Sequence, residues 1–189
     1  MTETPNPNIV DTDTLTGEMH PIRRCVLAIG SNLGERFNNL QGAVNALADT
    51  PEVWVTAVSS VYETEPVDAP EGSKHFLNAV VLADTTLSAR TLLDRALAIE
   101  DAYGRERTGE RNAPRTLDVD LIVVGDRRAN DDDLVLPHPK AHERAFVLAP
   151  WHDVEPEAEL LDQGPVAELL AKTAEQAVTL RDDLRLSYQ

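Results

Sequence analysis

The chain has 189 residues, 17 Lys+Arg against 33 Asp+Glu, and a formal net charge of −16. That length suits one domain with a real core, and the acidic balance argues against nucleic acid, whose phosphates need an extended basic surface. No stretch approaches the ~18 apolar residues of a membrane span, the first twenty residues hold no apolar signal core, and the lone Cys25 fits a cytoplasmic location.

Residues 1–21 are rich in Thr, Asp, Asn and Pro and predict a disordered acidic extension; residues 22–189 predict a single domain. Residues 25–30 (Cys-Val-Leu-Ala-Ile-Gly) predict a short buried strand, followed by a Gly-Ser-Asn-Leu-Gly turn at 30–34. Leu40, Val44 and Leu47 sit at i, i+4 and i+7 of a helix expected over 36–49. A strand is expected over 53–63, then a loop over 64–75 and a strand over 76–83. A helix over 87–103 would be capped by Ser88, with Leu93, Ala96, Leu97 and Glu100 as its stripe. The fourth strand covers 116–124. Beyond an acidic loop at 131–133 come Leu134-Val-Leu-Pro-His-Pro139, a helical run over 145–151, a helix around 166–173 and a final strand over 178–186. The order β-α-β-β-α-β predicts an α+β, ferredoxin-like split β-α-β sheet covered by helices, with appended C-terminal helices.

The fourth strand carries the most chemistry. Alternation puts Leu117, Val119, Leu121 and Val123 on one face and Asp118, Asp120, Ile122 and Val124 on the other. Two carboxylates about 6–7 Å apart on one face of an apolar strand need compensation. One or two Mg²⁺ ions would supply it, since Mg²⁺ takes one or two carboxylates plus substrate phosphates and water. Just upstream, residues 104–115 hold Arg105, Arg107, Arg111 and Arg115 without a lysine, a basic island in an acidic chain. Arginine's planar fork suits phosphate. Metal carboxylates beside phosphate-binding arginines point to phosphoryl-type transfer.

Ile29-Gly-Ser-Asn-Leu-Gly34, Phe76-Leu-Asn-Ala79, Pro114-Arg-Thr-Leu-Asp-Val-Asp120, Leu136-Pro-His-Pro139 and Arg144-Ala-Phe146 occur in that order. Together they resemble the 6-hydroxymethyl-7,8-dihydropterin pyrophosphokinase family of folate synthesis, from about Val26 to Trp151. The resemblance implies transfer of the β,γ-diphosphate of ATP to a reduced pterin alcohol with release of AMP, using two Mg²⁺ ions. It implies that Asp118 and Asp120 hold the metal and that Arg105 and Arg115 stabilise the transferring phosphates. Glu100, Arg107, Arg111, Leu121, Leu134, His138 and Arg144 would serve the nucleotide, with Leu121 and Leu134 flanking adenine. Phe76 and Phe146 would sandwich the pterin, Asn78 would read its amide-like edge, and Asn32, Thr64 and Val67 would complete the pocket. ATP and the pterin are the expected partners, and a monomer is expected. The chain departs from the pattern at Asn112-Ala113, where the family usually has Trp-Gly, at Asp68, at Asp133 and at Pro139. Two rivals are a phosphohydrolase or nucleotide-sugar transferase using Asp-x-Asp, and a ligand-binding regulatory module; the second gives no reason for carboxylates beside an arginine loop.

Overall fold

A computed structural model of the chain describes residues 21–66, 71–104 and 116–188. The expected extension (bar Pro21), Val67, Asp68 and residues 105–115, with their four arginines and Asn112-Ala113, lie outside the described residues. Strand β1 (Arg23–Ser31) is buried from Cys25 onward. It lies centrally, antiparallel to β4 (Phe76–Thr85) on one side and β5 (Asp118–Val124) on the other. A strand covered on both faces reads as a continuous apolar run, as this one does. Cys25 donates to the Ala83 carbonyl, and burial pushes its thiol up to about 12, so the side chain serves the core.

Helix α1 (Arg36–Ala48) buries the expected Leu40, Val44 and Leu47, with Ala43 beside them. The strand expected over 53–63 is instead two, β2 (Val53–Val58) and β3 (Val61–Thr64), both paired to β4. Ser59 causes the break: its hydroxyl accepts from the Val80 amide and its own amide donates to the Val80 carbonyl, while the Ser60 amide donates to Asp153. Helix α2 (Ala89–Ala102) starts after Ser88, whose hydroxyl accepts from the Thr91 amide. Its buried stripe is Ala89, Leu92, Ala96 and Ile99 with Glu100. The expected Ala96 and Glu100 lie in it and Leu93 packs against its edge, whereas Leu97 is 36% exposed and Leu92 and Ile99 take the buried positions instead.

The remaining elements are the hairpin β6 (Ala129–Asn130) and β7 (Val135–Leu136), a 3₁₀ turn at Ala141–Glu143, α3 (Ala145–Val154), the hairpin β8 (Glu159–Leu160) and β9 (Gly164–Pro165), α4 (Val166–Ala171) and β10 (Val178–Arg181). Strand β10 stops short of residue 186 because the Leu184 amide turns back to the Arg181 carbonyl. The main sheet runs β10-β3-β4-β1-β5, with β2 also on β4. Core strands β3-β4-β1-β5 have the expected split β-α-β order.

The sheet separates two apolar layers. Leu27, Ile29, Leu77, Ala79, Val119 and Leu121 pack beneath α1 and α2. Val26, Ala28, Val80, Leu82 and Ile122 pack against Val147, Leu148 and Trp151 of α3 and Val166 and Leu169 of α4, the appended C-terminal helices. The β1–β5 register pairs Leu27 with Leu121 but Val26 with Val123, so Ile122 is an extra residue, a β-bulge. The bulge reverses the expected alternation: Val124 joins the α1–α2 layer, and Val123 packs beside Ile122 in the other. Among the described residues no helix is long and apolar enough to cross a membrane.

Candidate active site

Sheet register assembles the site at one end of the α3-side face. Tyr62, Asn78, Gly30 and Asp118 form a row across β3, β4, β1 and β5. One step along, Val80, Ala28 and Asp120 form the next row. In-register neighbours point to the same face, so Asn78 and Asp118 flank Gly30 about 10 Å apart, two strand spacings. Phe76 and Thr64, paired on β4 and β3, share that face, and Phe146 reaches the same side from α3. The sequence-expected Asp118, Asp120, Phe76, Asn78, Thr64 and Phe146 are thus gathered on one face.

The Asn78 Nδ2 donates to the Thr64 hydroxyl at 2.6 Å, so Thr64 meets this network through its side chain. Among the described residues Thr64 is the hydrogen-bond partner of the Asn78 side chain. One amide hydrogen and the Oδ1 of Asn78 remain for a ligand, a donor–acceptor pair that suits an amide-like ring edge. Asn32 donates to the Lys74 carbonyl at 3.3 Å, tying the turn after β1 to the segment entering Phe76.

Asp118 is 9% exposed and Asp120 is half-buried. Among the described residues no group of three or more His, Cys, Asp or Glu gathers. Two strand carboxylates suit Mg²⁺, which takes one or two carboxylates, keeps water and binds phosphate. Glu100 is 3% exposed, and its carboxylate accepts from the Val119 amide at 2.8 Å. It thereby fastens α2 to the backbone between the two aspartates. That contact accounts for the polar interruption of the helix stripe.

Leu121 and Leu134 are buried in the α1–α2 layer. His138 is anchored by its amide, which donates to the carbonyl of the bulged Ile122 at 2.8 Å. Its Nδ1 accepts from the Lys140 amide at 3.2 Å, which puts the ring proton on Nε2. Burial, then Arg144 and Lys140, push its pKa down to about 4. A neutral imidazole with an Nε2–H donor results. The Leu136–Pro137 bond before it is cis. The Arg144 guanidinium lies 5.4 Å from the Phe146 ring centroid, a cation–π contact joining an expected nucleotide residue to an expected pterin residue. Asp133, the departure in the acidic loop, accepts from Arg90 at 2.7 Å and Asp131 does so at 2.9 Å, so α2 holds the β6–β7 loop. Arg90 keeps the Asp133 carboxyl below the usual carboxylate range.

Two framework residues escaped the sequence reading. Asn39 of α1 is buried and donates through Nδ2 to the Ser31 hydroxyl, the Leu33 carbonyl and the Thr116 carbonyl, joining the Gly-Ser-Asn turn to the start of β5. An amide beside Leu40 on the apolar stripe was its signal. Glu63 accepts from Arg36 at 2.9 Å and Arg181 at 2.8 Å, and Arg36 also donates to the His75 carbonyl just before Phe76. The arginines, Arg36 first, hold the Glu63 carboxyl below its ordinary value. Nothing in the sequence pairs residues 118 positions apart. Elsewhere, a groove of about 610 Å³, lined by Ser59, Ser60, Asp153, Leu180 and Leu184 among others, contains none of the expected site residues.

Comparison with known proteins agrees with this geometry. The model of the 7,8-dihydro-6-hydroxymethylpterin-pyrophosphokinase (HPPK) family matches residues 26–156. The 2-amino-4-hydroxy-6-hydroxymethyldihydropteridine pyrophosphokinase of Mycobacterium tuberculosis is 43% identical over 176 residues, 86% of this chain and 89% of that protein. The enzyme of that name from Pseudomonas aeruginosa is 39% identical over 150 residues, 79% of this chain and 91% of that one. Among solved structures, a Plasmodium falciparum HPPK-DHPS chain crystallised with pterin and p-hydroxybenzoate superposes with a TM-score of 0.67 at 14% identity, covering 86% of this chain and 46% of that one. That likeness speaks for the fold, and this chain spans about half of that longer one. With the family model matching well over half its length, the chain belongs to the 7,8-dihydro-6-hydroxymethylpterin-pyrophosphokinase family.

Proposed function

We propose that the chain transfers the β,γ-diphosphate of ATP to the hydroxymethyl group of 6-hydroxymethyl-7,8-dihydropterin, a step of folate biosynthesis. The observation that carries this reading is the register row that sets Asn78 and Asp118 on either side of Gly30 on one sheet face. Recognition of a flat polar ring and binding of metal-bound phosphate are thereby adjacent. The pterin oxygen attacks the β-phosphorus, the bond from that phosphorus to the α,β-bridging oxygen breaks, the hydroxyl proton is released, and AMP leaves.

In this reading Phe76 and Phe146 hold the ring by stacking. Asn78, with Asn32, Thr64 and Val67, reads its edge. Asp118 and Asp120 would hold two Mg²⁺ ions, which neutralise phosphate charge and orient the triphosphate. His138 donates its Nε2–H to a phosphate oxygen without adding a second positive centre beside Arg144. Arg105 and Arg115 stabilise charge on the transferring group, where donors aimed at developing charge raise turnover most. Arg107, Arg111 and Arg144 contribute phosphate contacts, Glu100 steadies the metal-bearing strand beside the nucleotide, and Leu121 and Leu134 border adenine. The protein acts as a cytoplasmic monomer, with residues 1–21 an acidic extension outside a single domain at 22–189.

Incubation with ATP, Mg²⁺ and the reduced pterin alcohol tests the reading. AMP and pterin diphosphate should appear in equal amounts. ADP in place of AMP, or AMP formed without the pterin, overturns it.

A further inference from the structure

Gly30 is the one position in the site row without a side chain. Its backbone does not require glycine: the glycines with left-handed φ are others, Gly34 at the turn among them. What Gly30 supplies is space. A Cβ placed on it would stand 2.8 Å from the Asn78 Oδ1, 3.6 Å from the Phe76 Cδ1 and 3.7 Å from the Leu77 carbonyl oxygen. The last two are ordinary contacts, and the first is closer than nonbonded carbon and oxygen atoms tolerate. The clash falls on the tip of a side chain, so the sheet can survive it by turning the amide. Turning that amide pulls its Nδ2 from the Thr64 hydroxyl, 2.6 Å away, and swings Oδ1 off the ligand side.

We propose that Gly30 is a positioning residue for pterin selection: its missing side chain lets Asn78 hold its amide in one orientation, fixed by Thr64, toward the donor–acceptor edge of the ring. The proposal rests on the pterin reading of this pocket. It separates Gly30 from the aspartates of the next strand, because the three atoms nearest the added methyl group belong to Asn78, Phe76 and Leu77 and none to Asp118.

The test uses the full chain as Gly30→Ala, Asn78→Ala and the double variant, with KM for the pterin alcohol, KM for ATP and melting temperature measured on each. Gly30→Ala should raise the pterin KM at least about tenfold, the scale of one lost buried hydrogen bond. The ATP KM and melting temperature should stay near those of the unmodified chain. The double variant should bind pterin no more weakly than Asn78→Ala, because the methyl group acts through a side chain already removed. An unchanged pterin KM in Gly30→Ala overturns the proposal. So does a double variant in which the two losses multiply, since the methyl group would then be blocking the ring itself. Were Gly30→Ala to unfold, Thr64→Val breaks the same hydrogen bond without the clash; it should raise the pterin KM selectively, and an unchanged KM overturns the proposal. An unmodified chain that turns over no pterin alcohol removes the pocket reading and the proposal together, whereas normal turnover with an unmoved Gly30→Ala KM removes the proposal alone.

Discussion

The two faces of the central strands are built from alternate residues of the same segments, yet they do opposite work. Toward α1 and α2, Leu27, Ile29, Leu77, Ala79, Val119 and Leu121 form an unbroken apolar layer. Toward α3, the layer is apolar only through Val26, Ala28, Val80, Leu82 and Ile122, and then gives way to Gly30, Asn78 and Asp118. One face holds the sheet together along its whole length. The other is covered by helices over part of its length and carries polar groups where that apolar cover ends. Active-site polarity is therefore affordable here because the stabilising burial is done by neighbours one residue away on the same strands.

That contrast can be broken most severely at the carboxylates. Asp118→Ala or Asp120→Ala should lower kcat by about 10³-fold or more if each holds phosphate-bound metal, while the melting temperature holds or rises as like-charge repulsion is relieved. Near-normal turnover in both would make the pair structural. The mirror experiment is Leu27→Ala on the opposite face, a fully buried residue. It should cost about 2–5 kcal/mol in denaturant unfolding, with KM values unchanged at temperatures where the protein stays folded. A shift in pterin KM there would show that the faces are not independent.

Asn39→Ala should blur the contrast, because this side chain links the site turn to β5. Unpartnered carbonyls at Leu33 and Thr116 predict a loss of about 1–3 kcal/mol in stability together with a fall in kcat/KM. His138 gives a pH signature. Its folded-state pKa of about 4 lies below the ordinary 6.5, so the unfolded chain takes up its proton first as pH falls. Stability from this group is complete above pH 6.5 and drains away toward pH 4. Melting curves of His138→Gln should be flatter over that window than those of the unmodified protein; parallel curves would refute the half-buried neutral imidazole. The smallest effect should come from Arg181→Ala. Its ion pair with Glu63 is partly exposed, and loss of about 0.2–1 kcal/mol is expected by thermal unfolding.

Much of this was legible in the chain itself. Runs such as Cys25–Gly30 and the Leu40–Val44–Leu47 spacing mark their elements because burial on a strand or helix leaves a period in the sequence. The Asp118–Asp120 pair was placed on the correct face for the same reason. Errors arose where one residue changes the phase. Ser59 replaces ladder partners with its own hydroxyl and splits a strand; the buried face of α2 takes Leu92 and Ile99 and leaves the expected Leu97 at its exposed edge; the bulge at Ile122 swaps Val123 and Val124 between layers. Contacts such as Arg181 to Glu63 leave no local period and were out of reach. Gly30 stands in the sequence as the start of a turn, and the Asn78 side chain that faces it across the sheet leaves no local mark there.

The bulge at Ile122 also sets how β5 can tolerate changes in length. Between Asp120 and the bulge, inserting one regularly paired residue would send both aspartates to the opposite side of the sheet, since orientation alternates with every residue. At the bulge itself, a one-residue deletion would restore regular pairing with β1 and leave Asp118 and Asp120 facing as before. It would also remove the extra carbonyl on which the His138 amide rests. The strand thus has a segment where an insertion reverses the carboxylate face and a point where a deletion instead uncouples the histidine. A lineage that lost the bulge would keep its carboxylates and have to find a new support for that imidazole.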